Sequence, residues 1–457
     1  MKPDRDFTLG GFFIYVLPSI FAYIFNGVYT IVDGAFIEKF EGPYAIASVN
    51  LYYPVLNLLL AAGLMTGTGG SVALSLLSGK GQKDRADAMF SRLMELTCGF
   101  AVFVSVIGLA FTGPLMRLLG ATDGNITYFR QYYVIMIAAS FAVVFSSMVV
   151  PMFFAEGKTA HIAVLTLIGG VLNVALDALF MGVFGWGIKG AATATVIGYS
   201  VPALYGLYFY APFNRHGSTY RFSPTRIDLR EVIPVLYNGS SEMVSNLASG
   251  ATALIMNLLA YRCSGEVGVS VVSVYLYAQF LAMACFMGLT SAVEPVISFH
   301  NGSENVPMQK KIYRYSLFWI TVMSVVIAVL IGLFHRQIVS VIFEPAGEKM
   351  RFYTLACRSL MLMIPACLVC GYNIFISGLF TGYSNGTVSA ILSFLRTFVI
   401  LSAAMVILAM LWGSDGLWIS WFAAEALMLV ISVIFLKRKL KFLSNLCFTE
   451  NRDKMNI

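Results

Sequence analysis

The sequence predicts an all-α integral membrane protein: twelve transmembrane helices in two six-helix bundles, related as parallel repeats by a pseudo-two-fold axis. Three observations carry this. The 457 residues are 58% hydrophobic and only 12% charged, with a mean hydropathy of +0.79, whereas a soluble chain is about 25% charged. Twelve apolar stretches are long enough to cross a bilayer core of about 30 Å, which takes roughly 20 residues of helix. The last six stretches echo the first six in sequence.

In chain order the predicted spans are 11–37, 45–77, 93–112, 126–150, 161–184, 190–210, 231–262, 269–299, 314–334, 352–378, 387–410 and 417–436. Gly, Pro and charge punctuate them, as in EGP at 41–43, SGKGQKDR at 78–85 and GWGIKG at 185–190. The first run starts at Gly11 and carries Pro18, Asn26 and Asp33 without a cleavage-site pattern, so it is expected to be a retained span. If the N-terminus lies inside, the loops alternate so that 20 Lys and Arg fall on that side and 9 fall outside or near the outer ends. That asymmetry predicts a multi-pass protein of the cell membrane with both termini cytoplasmic. It also explains the net charge of +7 without nucleic acid. The basic connection 211–230 divides an N-terminal lobe, 1–210, from a C-terminal lobe, 231–436, and 437–457 form a basic tail.

Three pairs of segments carry the repeat: VLPS at 16–19 with VIPV at 232–235, GTGGSVALSLLSGKG at 67–81 with GLTSAVEPVISFHNG at 288–302, and WGIKGAA at 186–192 with WGSDGLW at 412–418. Their offsets are 216, 221 and 226, in the same order along both halves. Six spans per half return the chain to its starting side, so the halves are parallel, and such repeats place a substrate site between them.

Within the membrane, TLIGGVLNVALDALF at 166–180 stands out, because Asn173 and Asp177 lie one helical turn apart on one face. Counted at 1.5 Å per residue, Asp177 lies about 10 Å, Thr195 roughly 8 Å and Asp33 about 6 Å from the outer ends of their helices. Two carboxylates, an amide and a hydroxyl thus share one height in the first half. Ionisable side chains at that depth face protein or a wet cavity and are functional by default. Oxygen atoms in that number suit a sodium ion, or a proton shared between the carboxyls. The plainer reading has Asp33 reaching the interface and Asp177 bonded to a neighbouring helix.

IVDGAF at 31–36, NVALD at 173–177, the GxxGAA of 187–192 followed by Thr195, and the twelve-helix repeat resemble the MATE family (multidrug and toxic compound extrusion). The resemblance covers nearly the whole chain and is most specific at Asp33, Asn173, Asp177 and Thr195. It is similar there to the archaeal and DNA-damage-inducible branch, whose matching residues are implicated in proton or sodium coupling. It implies a V-shaped cleft between the lobes, a bend in helix 1 at Pro18, and a tyrosine, Tyr132, approaching the helix 5 aspartate. Another branch has essential carboxylates in the second half. Here Glu242 on helix 7 is the second-rank equivalent, helix 10 has only Asn373, and Glu294 stands in EPVIS where the family more often has glutamine. Partnership with Arg396 explains Glu242 equally well, and Glu425 is another partner for that arginine.

The resemblance implies a cation-coupled antiporter, working as a monomer, that exports amphiphilic, often cationic, organic molecules in exchange for H+ or Na+, with no cofactor. The alternative is a flippase of lipid-linked oligosaccharide in the same superfamily, which would carry more cavity arginines than the single Arg396. No HExxH, GxSxG or phosphate-binding cluster supports an enzyme, and no filter-like segment supports a channel. Met65, Met256, Met283 and Phe286 are expected as an adaptable lining, since flexible thioethers suit promiscuous binding. Cys367 and Cys370 read as small hydrophobes. His161, His216, His300 and His335 read as solvated residues at helix ends, and Glu156-Gly157-Lys158 as a polar inner turn.

Overall fold

The computed structural model describes residues 7–41, 43–121, 125–211, 218–223, 225, 228–343 and 345–454. Among these, all regular structure is helical. The first half contains α1 (Leu9–Glu41), α2 (Pro43–Gly79) and α3 (Lys83–Ala110), the last followed by a short turn at Thr112–Leu118. Next comes α4, a pair Ile126–Ala138 and Ser140–Ala155 bent by 53°. The half closes with α5 (Thr159–Asp177, continued as a π-helix over Ala178–Val183) and α6 (Ile188–Tyr210).

In the second half, one hydrogen-bonded run, Leu229–Gly302, contains two spans, α7 (229–264) and α8 (266–302), because the chain reverses at Gly265. A Cβ on Gly268 would strike the carbonyl of Ala260, eight residues back, which in a straight helix lies about 12 Å away. Then follow α9 (Val306–Ser340) and α10, a pair Met350–Cys367 and Cys370–Gly382 bent by 47°. Last come α11, which opens at Gly386–Phe394 and passes a π-turn at Leu395–Val399, and α12, which starts after Gly413 and stays helical to Lys454. Both bundles therefore have six spans, and the chain's two described ends lie on one face, called here the terminal face.

The sixth helix of each half opens on the same backbone turn. Gly187 has φ 61° and ψ −144°, and Gly413 has φ 61° and ψ −136°. A side chain is strained in that left-handed region, so the paired WGxxG segments are paired in conformation as well as in sequence.

Most helix ends reach beyond the predicted spans, although α3 stops at Ala110, short of the expected 112. The apolar count marks the bilayer core, while capping and polar contacts set the true ends. Asn305 Oδ1 accepts from Met308 N at 3.1 Å at the start of α9, and Asp228 Oδ1 from Arg230 N at 3.0 Å before α7. At its far end α1 continues four residues past the predicted limit, and the Glu41 carboxylate lies against Gly187 at the opening of α6, where the positive end of a helix favours an anion.

The halves meet through α2 against α7 and α8, and through α1 against α8 and α9. Two glycine pairs bring backbones into contact. A Cβ on Gly69 would meet the Val235 carbonyl, and one on Gly239 would meet the Met65 carbonyl and the Gly69 nitrogen, the latter at 2.8 Å. Gly79 faces the Phe299 carbonyl and Gly302 the Leu76 carbonyl in the same way. Small residues permit this approach where no hydrophobic force acts between helices in lipid. Ser298 Oγ donates to the Val72 carbonyl at 2.7 Å, and Arg92 pairs with Glu231 across the terminal face.

The connection between halves is docked as an extended strip on the first. Asp87, Ser91 and Glu95 lie four apart on α3 and accept the backbone N–H groups of Arg221, Ser223 and Thr225 at 3.0, 2.9 and 3.2 Å. Alternate N–H groups of an extended chain advance about 6.6 Å and a helical turn-plus about 6 Å, so the two combs match. Glu156, which the sequence presents only as part of a polar turn, is buried and accepts Ser218 Oγ at 2.6 Å and Thr219 N at 3.0 Å. Residues 212–217, 224, 226 and 227 of this connection lie outside the described residues, as do Lys2, Arg5 and the side chains beyond Arg438 counted for charge. Glu156→Ala is expected to release the strip, costing about 2 kcal/mol and speeding limited proteolysis between residues 211 and 225; an unchanged cleavage rate would contradict the docking role.

His300 corrects the expectation of solvated histidines: it is only 3% exposed, with Gln309 Nε2 donating to its carbonyl at 2.9 Å. The start of α9 folds back over it, which no local pattern announces. His161 is half-buried and stacks on Phe153. Cys367 and Cys370 are buried free thiols flanking the bend in α10.

Candidate functional site

The site is built where α5 and α6 cross. A Cβ on Gly169 would lie 2.8 Å from the Gly198 carbonyl, and one on Gly198 would lie 3.3 Å from the Asn173 Cβ. The helices run antiparallel, so one turn beyond this crossing Asp177 on α5 draws level with Thr195 on α6. α1 closes the third side, with Phe25 and Tyr29 resting on Gly170 at 2.6 and 2.8 Å from where its Cβ would be. That places Asp33, one turn beyond Tyr29, over Asp177.

Asp33 and Asp177 are direct neighbours, each carboxyl lying in the field of the other. Ionised carboxylates are acceptors only, so two of them hydrogen-bond to one another only when one holds a proton. Asp177 is fully buried, Asn173 is 3% exposed, and Asp33 is half-buried with its Oδ1 shielded. Apart from the approach of the acids to one another, five oxygens find no hydrogen-bond partner among the described residues: Asp33 Oδ1, Asn173 Oδ1, Asp177 Oδ1 and Oδ2, and Thr195 Oγ1. Buried polar atoms are normally paired. Five orphaned oxygens on four residues of one site form an acceptor set suited to a hard monovalent cation or a shared proton. Asp177 is also the last α-helical residue before the π-helix, a widening found frequently at functional sites.

Four phenols surround the acids. Tyr132 is buried beside Asp33 and Thr195 and sets its ring 5.5 Å from that of Tyr52. Tyr29 and Tyr199 are neighbours next to Asp33, and Tyr53, an exposed residue, lies near the same carboxyl. Sequence reasoning named only Tyr132. A signal for two others was present, because Tyr29 precedes Asp33 by four residues and Tyr199 follows Thr195 by four, each pair on one helical face.

The other predicted residues stand elsewhere. Pro18 lies within α1, which runs on unbroken, and lines an apolar groove of about 290 Å³ with Phe21, Phe25, Val164 and Leu167. Met65 lies at the α2–α7 crossing. Met256 is buried, and Phe286 is fully buried against Gly371 of α10, so these two are packed core rather than open lining. Met283 Sδ sits 3.9 Å from Arg396 Nη2. Glu242 lies within charge range of Arg396 and Glu294, and Tyr23 Oη bonds Ser291 Oγ at 2.9 Å beside them.

Arg396 resolves the pairing left open by sequence: its Nε donates to Glu425 Oε1 at 2.9 Å. Glu425→Ala would leave a guanidinium with 11% side-chain exposure unpaired, which costs about 3–5 kcal/mol. The expected result is a clear drop in thermal unfolding temperature. A melting curve like that of the unmodified chain would contradict it.

The MatE family model matches residues 18–179 and 243–407, one stretch in each half. The multidrug export protein MepA of Staphylococcus haemolyticus is 24% identical over 420 residues, spanning 90% of this chain and 89% of its own. The probable multidrug resistance protein YoeA of Bacillus subtilis is 24% identical over 387 residues, spanning 82% and 81%. A crystal structure of MATE in complex with MaL6 superposes with a TM-score of 0.89 at 22% identity, covering 96% and 97% of the two chains. An outward-facing multidrug resistance MATE transporter of the MOP superfamily does so at 0.87 and 22%, with the same coverage. The fold is thus that of a twelve-helix, two-lobe transporter.

Proposed function

Because the chain belongs to the MatE family, we propose that it is a secondary active efflux antiporter of the cell membrane. It exports amphiphilic, often cationic, organic molecules in exchange for H+ or Na+, by alternating access. The observation that carries the coupling site is the set of five orphaned oxygens on Asp33, Asn173, Asp177 and Thr195. The export reading is supported by the multidrug names of MepA and YoeA.

With both termini cytoplasmic, the terminal face is the inner face and the acids lie in the outer half of the first lobe. A cation arriving there satisfies the orphaned oxygens and removes the charge repulsion between the acids. Neutralised, α1 packs on α5 more tightly than it does with two bare carboxylates. Pro18 has no N–H to complete the turn before it, so the adjustment in α1 concentrates there. Substrate release and cation loading are then alternatives of one two-state element, and each ligand shifts the other's population. One net charge moving inward across about 100 mV, as when an uncharged substrate leaves, contributes roughly 2.3 kcal/mol, equivalent to about a fiftyfold accumulation ratio; a monocationic substrate exchanged one for one is driven by the cation gradient alone. Arg396 is tied to Glu425, which weighs against a free cationic group awaiting a lipid-linked phosphate.

The test is efflux of a fluorescent cationic dye from proteoliposomes with a proton gradient or a sodium gradient imposed separately. One of the two is expected to drive dye movement. Indifference to both would overturn the antiport reading.

A further inference from the structure

The register of WGIKG with WGSDG aligns Trp421 with Thr195 and Glu425 with Tyr199, both at an offset of 226. The fifth helix of each half carries a π-turn as well: Ala178–Val183 directly after Asp177 in α5, and Leu395–Val399, which holds Arg396, in α11. The second half thus has its own polar centre on the two helices that build the cation site of the first.

The chemistry of the two centres differs. In the first half Asp33 Oδ1 and both oxygens of Asp177 are orphaned, and among the described residues no basic side chain is paired with either acid. In the second, Glu425 is 2% exposed, yet both of its oxygens are held by the chain. Oε1 accepts from Arg396 Nε at 2.9 Å and Trp421 Nε1 at 3.1 Å, and Oε2 accepts from Asn373 Nδ2 at 2.7 Å. Asn373 also donates to the Glu425 carbonyl at 2.9 Å, which fixes its orientation. Glu242 of α7 lies within the field of the same guanidinium, with Glu294 next to it. A guanidinium never gives up its proton in a protein, and its planar fork suits a buried carboxylate.

We propose that Arg396 is a tethered cation: in the second half its guanidinium holds the position that an exchangeable H+ or Na+ takes in the first. This half is permanently loaded, and the chain exchanges cations at one centre rather than two. The proposal rests on the reading that Asp33 and Asp177 bind the exchanged cation. Arg396 acts here as a positioning residue and touches no substrate.

Removing the tether must expose a carboxylate that recruits a cation from solution. The experiment follows thermal unfolding of the full-length protein in detergent, titrated with NaCl against choline chloride and, separately, with pH. The Asp33→Asn/Asp177→Asn background silences the first half. With Arg396 present, no sodium-specific shift is expected there. Arg396→Gln is expected to introduce one on the order of 3 °C or more, Arg396→Lys to introduce none, and Arg396→Gln/Glu425→Gln to abolish it. Three results overturn the proposal: no cation response in Arg396→Gln, a response that survives Glu425→Gln, or an Arg396→Gln chain that fails to fold at any salt or pH while the double glutamine variant folds. An equal cation response in the unmodified chain and in Asp33→Asn/Asp177→Asn would instead sink the first-half reading, leaving the Arg396 comparison intact.

Discussion

Asp177→Asn is expected to abolish cation-driven efflux while leaving the protein folded. The amide has nearly the shape of the carboxyl, and its environment at the end of α5 already accommodates neutral groups: Asn173 one turn away, Thr195 across the crossing, and Tyr132 behind it. Asn cannot take up or release a proton and offers one oxygen to a metal ion where Asp offers two. The pair with Asp33 is broken, and the imposed cation gradient loses its carrier. The loss is the full driving force that this gradient supplies to the dye. Asp33→Asn is expected to match it, because the two acids act as one coupled unit. Efflux from vesicles, with a melting curve on the same preparation, checks both. Full export by the two variants would remove the site.

Gly239→Ala is expected to cripple transport by a different route. The added methyl would press on the Met65 carbonyl and the Gly69 nitrogen of α2, and no side chain can swing aside because both are backbone. Overpacking of this kind costs about 1–3 kcal/mol, about a 5- to 150-fold shift in population when only one of two states carries the strain. The strained state is the one described, in which α2 and α7 touch near the terminal face. Gly69→Ala acts on the same crossing from the other side. Distances between spin labels at the terminal ends of α2 and α7 should lengthen in both variants. Unaltered distances with unaltered efflux would show that the crossing opens freely.

The polar part of the candidate site was legible in the sequence because it broke an apolar pattern. Asp33, Asn173, Asp177 and Thr195 are conspicuous in helices that otherwise face lipid or core, and the structure makes the two acids direct neighbours. Tyr53 was not legible, since one tyrosine more in a chain with 23 of them breaks no pattern, and Tyr29 and Tyr199 were marked only by their four-residue spacing from Asp33 and Thr195. The same blindness explains Met256 and Phe286. Large apolar side chains fill core and line cavities equally well, and only packing distinguishes the two. Glu156 and His300 depend on segments distant in sequence folding over them, the strip at 218–220 and the start of α9. The helix count followed from hydropathy. The helix ends did not, because caps and contacts such as Glu41 on Gly187 decide them.

The most direct measurement is cation displacement from the purified protein when a tightly bound cationic dye is added, read as proton release in weak buffer and as loss of bound radiosodium. The unmodified chain should release cation in proportion to dye bound, and the Asp33→Asn/Asp177→Asn chain should bind dye and release none. Equal release from both would place the exchanged cation elsewhere in the molecule and contradict the account.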